Sequence, residues 1–155
     1  MLNGGGAGCS CDSHMKVVDV DAAAADAAKD AAIDATIDVA IDAPLGPHIT
    51  YVKASNTEKN DLFGWSGAIS ADGNTIAIGA DGEMSGATGI NGDQSSNTSG
   101  YAGAVYVYVR SGETWVQQAY VKASNAAATY EFGVSLALSA DGNTLVVGSV
   151  GEQSP

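Results

Sequence analysis

The chain has 155 residues, of which 18 are acidic and 6 basic, giving a net charge of −12. A protein that tracks phosphates needs clustered Lys or Arg to release counterions, and Arg110 is the only arginine, so the balance argues against nucleic acid and against an anionic membrane surface. No run approaches the roughly 18 apolar residues of a membrane helix, and every Trp, Tyr and Phe lies after residue 50, leaving material for one small core.

Residues 1–16 are rich in Gly and lack both the basic n-region and the apolar h-region of a secretory signal. Ala7-Gly8-Cys9 nevertheless resembles the end of a bacterial lipobox, in which small residues precede the lipidated Cys. Gly6 stands where that pattern has Leu, Val or Ile. Cys9 is therefore the candidate lipidation site, and this reading implies sequence upstream of Met1. The alternative is a Gly-rich end with an incidental Cys-x-Cys. Cys9 and Cys11 are too close to staple a core, and without nearby ligand partners they make a weak metal site.

Residues 17–49 form an Asp/Ala-rich segment in which Asp26, Asp30, Asp34, Asp38 and Asp42 recur every four positions. On a helix this spacing aligns like charges on one face, which is mildly destabilising, while the many Ala residues favour helix. The expectation is a disordered or fluctuating-helix tether, ended by Pro44 and Pro47. It resembles the tethers that follow the lipidated Cys in bacterial surface lipoproteins. A carboxylate stripe along an axis diverges, so it does not suit calcium, whose ligands must converge.

The third segment, residues 50–155, contains one phrase twice. Residues 51–83 and 120–152 align without gaps at a period of 69, and 19 of the 33 pairs are identical, including YVKASN, FG, SADGNT and GE. Self-similarity at a fixed period signals a fold made from one repeated supersecondary unit. Thr50–Ala54 reads as the last strand of a preceding unit. FGWSGAIS and NTIAIGA flank Asp72-Gly73, a dipeptide suited to a hairpin turn, and the second copy repeats this around Asp141-Gly142. A long polar loop, Asp81 to Gly100, follows. Then GAVYVYVR alternates Val with Tyr at strand period, turns at Ser111-Gly112-Glu113, and returns as TWVQQAYVKA. The expected fold class is all-β: antiparallel four-stranded propeller-blade repeats, about one and a half blades with one complete set over 63–125.

Phe63-Gly64 with Ile76–Ala80, and Phe132-Gly133 with Leu145–Ser149, resemble the FG-GAP repeats of integrin-α-type β-propellers. The loop ATGINGDQSS and the hairpin after it resemble a bacterial branch of that family. The resemblance covers roughly 50–155 and implies that each Phe fills space between strands while Gly64 and Gly133 allow close backbone approach. In calcium-binding members the first turn is an Asp/Asn-rich loop. Here Ser70–Thr75 and its copy at 139–144 are plain turns, and one carboxylate cannot supply the six to eight oxygens calcium takes, so no cofactor is expected.

Candidate ligand-contacting residues are few. Asp81, Glu83, Asn91, Asp93 and Asn97 form the only dense oxygen-rich set within residues 50–155, either a solvated loop or a site for a cation or polar ligand. Trp65 and Trp115 can stack on a sugar, and Trp65 is replaced by Val134 in the second copy, which marks it as a surface rather than a repeat-defining residue. Both histidines, His14 and His48, fall outside the repeats, so a nucleophile–His site has no base there, and no catalytic residue is assigned. Nothing distinguishes Asp81 and Glu83 as a glycosidase pair.

The resulting expectation is a non-catalytic module of a secreted or surface-anchored bacterial protein, binding an unidentified protein or glycan, with Cys9 as lipid anchor. It would need further blades or self-association to complete the fold. The alternatives are a structural scaffold, or an accessory domain of a larger secreted enzyme.

Overall fold

The computed structural model describes residues 15–18 and 49–153, and all regular structure among them is β-strand. Strands β1 (Met15–Val18) and β2 (Ile49–Val52) form a two-stranded sheet of their own. The segment read as a tether is thus strand at its two ends, where β-branched Val17, Val18 and Ile49 favour extended backbone. The strand expected at Thr50–Ala54 is Ile49–Val52, and its partner is β1 of this chain rather than a preceding blade. The aspartate ladder, Cys9, Cys11, His14 and His48 lie outside the described residues.

From Lys53 onward the chain forms a second unit. Strands β3 (Ser66–Ile69), β4 (Thr75–Ala80), β5 (Ala104–Ser111) and β6 (Thr114–Val121) make one four-stranded antiparallel sheet in sequence order. Strands β7 (Ser135–Leu138) and β8 (Leu145–Gly148) repeat its first hairpin as a separate two-stranded sheet. The registers agree: Ser66 faces Gly79 and Ile69 faces Ile76, just as Ser135 faces Gly148 and Leu138 faces Leu145. The expected one and a half blades are what the chain forms.

Both Asp-Gly turns hold themselves shut. In the first, Thr75 N donates to Ser70 Oγ at 3.0 Å, while the Asp72 carboxylate accepts from Ser70 Oγ, Asn74 N and Asn74 Nδ2 at 2.5, 3.0 and 3.0 Å. Asp141 is bonded in the same way by Ser139 and Asn143. Gly73 and Gly142 take φ of 68° and 71°, where a side chain would be strained.

Strand β4 is the centre of the core. Ile76 through Ala80 are all buried, as expected of a continuous apolar run flanked on both sides, with β3 and β5 as its neighbours in the sheet. Tyr106 and Tyr108 share one face of β5, and the Phe63 ring meets both edge-on, with centroids 5.3 and 6.4 Å away. Tyr120 of β6 adds a third ring 5.3 Å from Tyr106. A bulge between Val107 and Tyr108 leaves Gln118 without an opposite residue and re-aims the strand.

The half-blade is joined to the full blade through its Phe-Gly pair. Phe132 bridges to Gly103, Ser66 Oγ donates to Gly133 O at 2.6 Å, and β7 packs against β3 and β4. A Cβ on Gly133, which has φ of 97°, would lie 2.6 Å from Ala104 O, and one on Gly79 would lie 2.2 Å from Gly133 O. Both glycines are therefore required by the backbone approach at the seam.

Candidate functional site

The expected ligand loop does not gather its oxygens. Asp93 accepts from Ser95 N and Oγ, and Asn97 donates to Glu58 Oε2 at 2.7 Å. Asn91 holds the end of β6: its backbone N donates to Tyr120 O, and Tyr120 N donates to its Oδ1, at 2.7 and 2.9 Å. Asp81 is buried, and burial followed by the nearby Glu131 raises its pKa above the usual carboxylate range. Among the described residues no three His, Cys, Asp or Glu side chains converge as a metal centre. Asn91, Asp93 and Asn97 are thus bonded to different partners.

Glu83 alone belongs to a cluster, and that cluster is interior. Its side chain is 1 % exposed, and Oε2 accepts from Lys122 Nζ at 2.6 Å. Its other oxygen, Oε1, accepts from Asn56 Nδ2 at 3.0 Å, and Asn56 Oδ1 accepts from the Tyr106 hydroxyl at 2.5 Å. The Tyr108 hydroxyl donates to Lys53 O at 2.7 Å, so the segment Lys53–Asn56 rests on the hydroxyl ends of two core tyrosines. Burial draws the Lys122 ammonium below its ordinary pKa while Glu83 pulls it the other way. Burial likewise holds the Tyr106, Tyr108 and Tyr120 phenols well above theirs. The Tyr120 hydroxyl faces Ser85 and Glu83 without reaching hydrogen-bond geometry.

Asp61 is the strained member of this interior. Glu58 N donates to Oδ2 at 2.8 Å, but the buried Oδ1 has no partner. Burial raises its pKa to about 6, the neighbouring Glu83 and Glu58 add to the rise, and the Glu58 amide and Lys122 oppose it.

This network draws on Lys and Asn of YVKASN and on the GE dipeptide, the parts of the repeated phrase that strand periodicity leaves unexplained. Its signal is present in the sequence: Lys53 and Lys122, Asn56 and Asn125, and Glu83 and Glu152 recur at the same period of 69. Of the aromatic candidates, Trp65 is 59 % exposed beside β3, and Trp115 is half-buried on β6.

A four-stranded antiparallel sheet, followed by the first hairpin of the next and joined through a Phe-Gly seam, defines the chain from Lys53 onward as propeller-blade repeats. A family model described as FG-GAP repeat matches residues 115–154, from β6 through the half-blade, and over that stretch the chain carries a repeat of this family. No curated protein and no solved structure matches the chain.

Proposed function

We propose that residues 53–153 are a non-catalytic binding module, displayed by a secreted or surface-anchored bacterial protein and contacting a protein or glycan through exposed side chains. The observation that supports this reading is the division of labour within the unit. The recurring polar residues are used internally, in the Asn56–Glu83–Lys122 network and the self-bonded turns. Apolar side chains absent from the repeat pattern, Trp65 above all, stand in solvent. An exposed indole offers a flat apolar face suited to a pyranose ring or to an interface anchor. No helix among the described residues is long and apolar enough to cross a membrane. In this reading Cys9, after the lipobox-like Ala7-Gly8, is the lipid anchor, and the Asp/Ala segment is a stalk.

The test is a glycan array and a surface-protein binding screen with the full chain and with Trp65→Ala. Specific retention of a ligand that Trp65→Ala weakens about tenfold or more, at unchanged melting temperature, is the expected result. Retention of nothing would favour a purely structural scaffold. Membrane fractionation of the natural precursor with Cys9→Ser separately tests the anchor.

A further inference from the structure

An amine and a carboxamide meet on one buried carboxylate. Glu83 Oε2 accepts from Lys122 Nζ at 2.6 Å, and Glu83 Oε1 accepts from Asn56 Nδ2 at 3.0 Å. The Lys122 and Glu83 side chains are 0 % and 1 % exposed, so the two nitrogens are held on the two oxygens of one acid away from water. The carbonyl oxygen of the same carboxamide, Asn56 Oδ1, accepts from the Tyr106 hydroxyl at 2.5 Å, and Tyr106 is fully buried.

These are the parts that acyl transfer needs. Burial disfavours the charged form of Lys122 and draws its pKa down, which favours a free amine. Glu83 can take the lysine proton without leaving net charge in the interior. The Tyr106 hydroxyl is aimed at the oxygen where negative charge develops when an amine adds to the carboxamide. Asn56 Nδ2, the nitrogen that has to leave, sits on the same carboxyl group that must return a proton to it.

We propose that the chain joins Lys122 Nζ to Asn56 Cγ in a self-formed amide cross-link, with Glu83 as proton carrier and Tyr106 as oxyanion donor. Lys122 passes a proton to Glu83, and the Nζ lone pair forms a bond to Asn56 Cγ while the carbonyl π pair moves onto Oδ1. Collapse of the tetrahedral centre breaks the Cγ–Nδ2 bond. Nζ gives up two protons in all: one completes the leaving ammonia, and the other stays on Glu83 or departs with it as ammonium. One amide replaces another, so no oxidant or activated co-reactant is needed, and loss of ammonia to solvent draws the exchange forward. The bond encloses β3 to β6 in one covalent loop, which restricts the unfolded chain as a disulfide does. The equivalent Asn125–Glu152 pair, bonded at 2.8 Å, is exposed to water and is the internal comparison that should stay unlinked. The cross-link is independent of any ligand at Trp65.

Intact mass and peptide mapping of the full chain test this. The purified protein should be lighter than its sequence by one ammonia, and a protease digest should yield a branched peptide joining Asn56 to Lys122. Asn56→Asp should form the same bond by losing water, giving a linked product of the same mass as the natural one. Glu83→Gln should stay unlinked. Tyr106→Phe keeps the ring that packs on Phe63 and Tyr120, and should slow linkage about tenfold or more as chain recovered from inclusion bodies refolds. Folded protein that keeps its full sequence mass after prolonged incubation would overturn the proposal. So would loss of water that maps to a Lys122–Glu83 bond, or ammonia lost within a single peptide, as in a succinimide at Asn91-Gly92.

Discussion

Lys122 and Glu83 leave water together, and the cost of desolvating both is offset only while both are present. Removing the carboxylate charge alone strands a buried ammonium beside a neutral amide. Glu83→Gln should therefore destabilise the chain by about 3 kcal/mol in urea unfolding, and Glu83→Gln with Lys122→Met should recover part of that loss. Asp61 presents the opposite case, a buried carboxyl with one oxygen unpartnered and a pKa raised to about 6. Because the folded state holds this proton more tightly, its contribution is full below the unfolded value near 3.8. It is lost as pH rises through about 6 and changes no further above that. Asp61→Asn keeps an oxygen for the Glu58 amide and removes the charge. The variant should gain about 1–2 kcal/mol over the natural chain at pH 7, less than full linkage because residual solvent screens the charge. Melting curves at pH 4 and pH 7 check the sign, since the gain should be much smaller at pH 4.

At the scale of strands and turns, space and backbone angle act separately on the glycines. Gly73 has φ of 68° and nothing near its absent Cβ, whereas Gly133 has φ of 97° and a carbonyl oxygen 2.6 Å from where its Cβ would be. Gly73→Ala should cost about 1 kcal/mol, the strain of a left-handed residue. Gly133→Ala should cost about 3 kcal/mol or more, because the seam between the blades must also move. Comparable losses in denaturant melts would mean that the seam yields freely. The strands themselves were legible because alternation along GAVYVYVR and the doubled SADGNT turn are local signals. The Glu83–Lys122 pair was not, since it joins residues 39 apart and its partner is set by sheet register rather than by neighbouring sequence. The bonding of the oxygen-rich loop was illegible for the same reason. Oxygen-rich residues close in sequence were sent to different partners by backbone bonds that composition does not encode, such as Gly103 N to Glu83 O at 2.9 Å. Strand β1 was hidden by its brevity, four residues whose partner begins at Ile49.

Across the whole chain, protection from solvent is unequal between two units that share most of their sequence. Tyr106, Ile78 and Ala77 of the complete blade are fully buried, while Val146 and Val150 of the half-blade are 62 % and 67 % exposed. Repeat proteins draw much of their stability from the interfaces between neighbouring units, so a unit covered on fewer sides opens at lower free energy. The seam at Phe132 and Gly133 ties the half-blade on one side, and among the described residues its β8 edge has no neighbouring strand. Native-state hydrogen exchange should therefore divide the chain. Amides of β8 should exchange about tenfold or more faster than those of β4, although the two strands occupy the same position in the repeat. Local propensity cannot produce that difference, because LVVG is at least as strand-prone as IAIG. Equal protection of β4 and β8 would mean that the two units open as one cooperative block, and that the exposed edge carries no energetic deficit.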